Sequence, residues 1–129
     1  MSNVVDWVNV VGEDGKIAPM RYELFVLRLF KVDSQREMLS HAAMGIAGEA
    51  GELLDAVKKH LVYGKQLDVA NIREELGDLR FYIEAMQNIL GIDSQDILQG
   101  NVNKLDTRYK KLTYSSEAAI ARADKTEGT

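Results

Sequence analysis

"GIAGEAGELLDA", residues 45–56, decides how this chain is read. Its surroundings follow helical period, yet glycines stand at 45, 48 and 51. Each costs about 1 kcal/mol against alanine inside a helix. Glu49, Glu52 and Asp55 are set among these glycines and their apolar neighbours. On a helical wheel, Ile46, Ala50, Leu53, Val57 and Leu61 form one stripe, expected in the core. Ala42, Gly45, Glu49, Glu52 and Ala56 form another, in which small residues leave space above two carboxylates. That second face reads as the floor of a site, with the glycines clearing room over it.

Working outward, the helix begins after Ser34, which stands three residues before Glu37 in a capping-box pattern. It runs to about Leu61 and is broken by "YGKQLD" (63–68). A preceding helix from about Met20 to Lys31 carries Tyr22, Phe25, Val26, Leu29 and Phe30 on one face. A third, from about Val69 to Leu90, repeats Leu76, Leu79, Ile83, Met86 and Leu90, and Gly91 ends it. "DS" at 93–94 caps a fourth, with Leu98, Val102, Leu105 and Tyr109 on one face. A short helical stretch from about Ser116 and a frayed end follow. "VVDWVNVV" (4–11) is either a short helix or a strand, and "GEDGK" (12–16) is a turn. The expectation is an all-α, four-helix bundle-like fold: an N-terminal extension over 1–18, a helical domain over 19–115, and a short helix with a tail over 116–129.

Glu75 lies at the edge of the third helix's apolar stripe and Asp78 further out on that side, whereas Glu74 points away. If the second and third helices pack antiparallel, Glu49 and Glu52 face Glu75 and Asp78. Four carboxylates in one cleft repel unless a cation neutralises them, and all-oxygen ligation suits Mg²⁺ or Mn²⁺. One such pair alone is a commonplace of helix surfaces; two pairs, each beside an apolar stripe and one among glycines, are less so. Di-iron chemistry is a poor fit, because bundles of that kind use Glu-x-x-His. Met38 and Val57 stand three residues before His41 and His60, the only histidines. Asn101, Lys104 and Arg108 line up on the fourth helix, a row suited to phosphate oxygens, although such residues flank helical stripes routinely. Lys58, Lys59 and Lys65 add charge near the end of the second helix. Tyr63, Tyr82 and Trp7 have rings able to stack on a base, though packing is the simpler role for each, and Met38, Met44 and Met86 read as core filler.

A net charge of −4 argues against a nucleic-acid binder. The absence of cysteine excludes disulfides and thiolate metal sites. Neither a secretion signal nor an apolar run of about 20 residues is present, so a cytoplasmic protein with no membrane partner is expected.

The two carboxylate pairs, Glu49-x-x-Glu52 and, after 22 intervening residues, Glu75-x-x-Asp78, resemble the signature of the MazG-type all-α nucleoside triphosphate pyrophosphohydrolases. "NVNKLDTRY" (101–109) is similar to the family's Asn…Lys-Leu…Arg-Tyr element, and "YSSEAAIARADK" (114–125) resembles the tail of a single-domain bacterial and phage branch. Lys110 follows the Arg-Tyr where many relatives have proline, and residues 1–18 match nothing in the family. The resemblance implies Mg²⁺-dependent cleavage of a (deoxy)nucleoside triphosphate to the monophosphate and pyrophosphate. It implies metal ligands at Glu49, Glu52, Glu75 and Asp78, with Glu49 or Glu52 serving the attacking water. It further implies phosphate contacts from Asn101, Lys104 and Arg108, beside which Lys58 is a substrate-binding candidate on its charge alone, and a homodimer or homotetramer. A related activity on phosphoribosyl-ATP or an oxidised dNTP is not separated by these motifs. A non-enzymatic helical interaction module, with the small-residue face as a dimer contact, is the alternative of a different kind.

Overall fold

The computed structural model describes residues 6–110 and 113–126. The expectations for residues 1–5 and 127–129 lie outside the described residues. Two compact units divide at Gly91.

In the first unit, alternation and turn chemistry build a hairpin. Val8 and Val10 are half-buried while Trp7, Asn9 and Val11 are exposed, the pattern of a strand with one covered face. Trp7–Val11 (β1) pairs antiparallel with Ile17–Arg21 (β2), Trp7 opposite Arg21 and Val11 opposite Ile17. Gly15, at φ +76°, lets the chain reverse, and Asp14 Oδ1 accepts from the Lys16 amide at 2.9 Å. Of the two readings open for 4–11, the strand is the one formed over its described part.

Tyr22–Leu29 (α1) starts later than its pattern suggests, because Met20 and Arg21 complete β2. Gln35–Leu61 (α2) is capped by Ser34, whose Oγ accepts from the Glu37 amide at 3.2 Å. Val69–Leu90 (α3) is capped by Asp68 and closed by Gly91 at φ +65°. Between them, His60 Nδ1 lies 2.8 Å from the Lys65 carbonyl oxygen, which fastens the connection to the end of α2.

The core joins Val26, Phe30, Ala42 and Ala85, with Tyr22, Phe25, Met38, Phe81, Tyr82, Met86 and Ile89 packed around them. His41 lies 4.7 Å from the Phe30 ring and 5.8 Å from that of Tyr82, a packing residue and not a ligand. The stripe that α2 buries most completely is the small-residue one: Ala42 and Ala56 are buried. The aliphatic stripe expected in the core is only partly covered. Ile46, Leu53 and Val57 are half-buried, Ala50 is exposed, and Leu61 is 72% exposed. Small side chains let the backbone of α3 come close, and bulky ones beside them are then held off to the flank. Leu29, Met44 and the α3 residues Leu76, Ile83 and Leu90 are exposed as well within the single chain.

The second unit holds Ser94–Arg108 (α4), Ser116–Ala121 (α5) and Ala123–Thr126 (α6). Asp93 caps α4, and Ser115 Oγ accepts from the Ala118 amide at 3.1 Å to start α5. Arg108 donates to Asp124 through Nε to Oδ1 at 3.0 Å and through a second nitrogen to Oδ2 at 3.4 Å. With side chains 16% and 6% exposed, this forked pair fastens α6 to α4. Among the described residues, no helix is long and apolar enough to cross a membrane.

Two predictions follow from this packing. A Cβ on Gly45 would run into the ring atoms of Tyr82, whereas one on Gly48 would meet nothing within 4 Å. Gly45→Ala is therefore expected to lose about 1–2 kcal/mol, overpacking outweighing the gain in helix propensity. Gly48→Ala should gain up to about 1 kcal/mol; thermal unfolding of the two variants measures both signs. Separately, the Arg108 guanidinium holds the Asp124 carboxyl below its usual range. A depressed pKa contributes stability above the unfolded value and loses it as pH falls through the folded one, so α5–α6 should stay docked into mild acid. Asp124→Asn should speed amide exchange over 116–126 at neutral pH while leaving α2 and α3 unchanged.

Candidate metal centre

The close approach of α2 and α3 sets where the carboxylates meet. Glu49 shares the buried side of α2 with Gly45 and Ala56. Glu75 and Asp78 sit one turn apart on the facing side of α3, and Tyr82, one turn further on, rests against Gly45. Carboxylate oxygens of Glu49, Glu75 and Asp78 all lie within 4.8 Å of one another. Glu49 and Glu75 are half-buried and Asp78 is exposed, so the cluster opens to solvent on one side.

Among the described residues, no lysine or arginine forms an ion pair with any of these three carboxylates. Desolvation pushes the Glu75 carboxyl up from its ordinary value, a hydrogen bond shared with Glu49 raises it further, and the charges of Glu49, Glu52 and Asp78 add to the effect. A set of hard oxygen donors, crowded, partly desolvated and left without a cationic side chain, fits a divalent cation such as Mg²⁺ or Mn²⁺.

The remaining candidates are placed differently. Glu52 is exposed and stands outside the trio, although its charge reaches Glu75. The two glutamates share a stripe, but three helical residues separate them by about 60° around the axis. Only Glu49 points along the contact line. Asp55, beside them, pairs with Lys59 at 3.2 Å. Of the three glycines, Gly45 is filled by Tyr82, whereas Gly48 and Gly51 do border open space. The expectation that all three clear room for a ligand is corrected to that extent. Lys58, exposed at the end of α2, lies 5.8 Å from the Tyr63 ring centre. On α4, in the other unit, Asn101 and Lys104 are exposed, and Arg108 is engaged by Asp124.

Two residues that the sequence did not single out, Asp6 and Arg80, come together only in the fold. Asp6 accepts from Arg80 at 2.8 Å, and both line an open cleft with Trp7, Val8, Tyr22 and Gly77. No sequence signal joins residues 74 positions apart. Tyr82 was a candidate for base stacking; its ring is instead packed into the α2–α3 seam.

Residues 39–113, more than half of the chain, match the model of the MazG nucleotide pyrophosphohydrolase domain. The chain is also 36% identical over 78 residues to the gene 37 protein of Mycobacterium phage L5, an overlap that covers 56% of this chain and 67% of the phage protein. No solved structure matches it. The matched segment contains Glu49, Glu52, Glu75 and Asp78 and the whole of α3, and the chain belongs to the MazG nucleotide pyrophosphohydrolase family.

Proposed function

We propose that the protein hydrolyses a (deoxy)nucleoside triphosphate between its α- and β-phosphates, releasing the monophosphate and pyrophosphate. What supports this reading most directly is the convergence of Glu49, Glu75 and Asp78 from two helices onto one point, within 4.8 Å. These three would hold the cation, which when bound offsets charge on the phosphate oxygens and makes water more acidic. Glu52, outside the trio and exposed beside it, is the carboxylate free to accept the proton of the attacking water. The water oxygen bonds to the α-phosphorus, the bond from that phosphorus to the bridging oxygen breaks, and pyrophosphate leaves with the electron pair. Lys58 supplies a donor for the phosphate oxygens; on α4, Asn101 and Lys104 are the exposed donors of the kind such oxygens accept from, and Arg108 is free for that role only by giving up Asp124.

We also place the chain in a homodimer or dimer of dimers. Leu76, Ile83 and Leu90 fall on one face of α3 and are 46%, 40% and 46% exposed. A row of large apolar groups left in water by the single chain suits a second copy.

Purified protein with Mg²⁺ should release pyrophosphate from at least one triphosphate. Glu75→Gln should lower kcat/KM on the order of 10²-fold or more, read by coupled pyrophosphate detection. Background release from wild type across all common nucleotides would overturn the reading and leave the interaction module. The cluster also predicts a pH dependence. Glu75's raised pKa means that the folded chain holds a proton which the unfolded chain has already lost. Its contribution to stability therefore falls as pH rises from the ordinary carboxylate range through the folded value. A divalent cation reverses that loss but competes with the proton. Mg²⁺ should thus raise Tm by several degrees at about pH 8 and by much less at about pH 5. In Glu75→Gln the rise should nearly vanish at both pH values, as differential scanning calorimetry can establish.

A further inference from the structure

The cleft between the hairpin, the start of α1 and the flank of α3 has a volume of about 410 Å³ and has no part in the chemistry above. The chain's single tryptophan, Trp7, lines it while remaining 63% exposed. A ring of that size left open to water on a short strand contributes little to the core, so packing does not account for it. Half-buried Tyr22 lines the cleft as well, and Gly77 gives it a floor without a side chain, where a Cβ would meet nothing within 4 Å. The Arg80–Asp6 pair places donors and an acceptor along its edge.

The charges narrow the ligand. Arg80 is balanced by Asp6, and Glu84 and Glu23 lie close enough that their charges act on one another. This edge is therefore unsuited to a polyphosphate and suited to a neutral ring with polar edges. Its position narrows the ligand further. Gly77, in the cleft's lining, adjoins Asp78 of the carboxylate cluster along α3. Asp6, Trp7 and Tyr22 all precede the family-matched segment, which begins at 39.

We propose that this cleft is the subsite for the nucleobase, with Trp7 stacking on the base and Arg80 and Asp6 meeting its polar edge. The assignment rests on the triphosphate reading for its substrate but on the hairpin for its location. Stacking on an aromatic side chain supports roughly tenfold or more in binding per base.

Because Trp7 is the only tryptophan, its emission reports the cleft directly. Titrating the full chain with deoxynucleoside monophosphates should give saturable quenching that depends on the base, whereas inorganic phosphate and pyrophosphate should give none. Trp7→Ala should raise KM for the preferred triphosphate about tenfold with kcat changed by less than about threefold, and Trp7→Phe should restore most of the loss. Hydrolysis of inorganic tripolyphosphate, if wild type shows it, should be equal in all three proteins. Turnover with an unchanged KM in Trp7→Ala, together with no quenching, would overturn the base subsite while leaving the hydrolase intact. If wild type hydrolyses nothing, the hydrolase reading falls and quenching alone decides this one: base-dependent saturation upholds the cleft, and flat emission ends it.

Discussion

The contact on which the rest depends is the seam between α2 and α3, where the backbone at Gly45 receives the ring of Tyr82. Ala42, Ala56 and Ala85 keep the seam thin. A thin seam is what lets short carboxylate side chains on different helices reach one another. Asp78 offers only one methylene beyond its Cα, so with large residues at 42, 45 and 85 its oxygens could not come within 4.8 Å of those of Glu49. Gly45, as costly to the helix as its two neighbours, thus supports the electrostatics indirectly, by admitting Tyr82 into the contact between two rods.

That arrangement places like charges together in a partly desolvated seam, an unfavourable feature that folding alone gives no reason to keep. Glu75 responds by favouring its protonated form. A protein built only for stability would place glutamine or alanine there, because replacing crowded charges by neutral groups is commonly neutral or better. The retained repulsion is coherent if the native ligand is positively charged: the apo cluster is then held poised, and much of the free energy released on binding comes from relieving it. The non-enzymatic alternative accounts for the small residues of the seam but not for the three carboxylates that the seam brings together.

The local rules were legible in the sequence and the long-range ones were not. Ser34, Gly91 and the Asp93–Ser94 pair mark helix ends through contacts within a few residues, and each is found where its chemistry puts it. The two acidic pairs were legible as well, since spacing fixes which side of a helix they share. Periodicity could not say which of two faces α2 would bury. Leu61 and the Leu76–Ile83–Leu90 row are as apolar as any core, yet the small-residue face excludes them from the seam by allowing a closer approach beside them. Nor could a 60° difference between Glu49 and Glu52 be weighed before the direction of α3 was known. Arg108 shows a third limit: its pairing with Asp124, 16 residues on, had no signal in the sequence.

The hairpin extends this reasoning to the part of the chain that lay outside every motif. A two-stranded ribbon is marginal by itself, so its persistence depends on what it rests against. Here the Tyr22 amide donates to the Asp6 carbonyl at 2.8 Å, and Arg80 of α3 holds the Asp6 carboxylate. Both anchors sit at the open end of the ribbon, next to Trp7, and neither supports its turn. The hairpin is therefore fixed most firmly where its largest exposed ring meets the flank of the carboxylate-bearing helix. A ribbon retained merely as a cover would gain more from burying Trp7 than from leaving it 63% exposed. Anchoring a strand beside such a ring while keeping the ring's face open is the arrangement expected of a surface that waits for a planar partner.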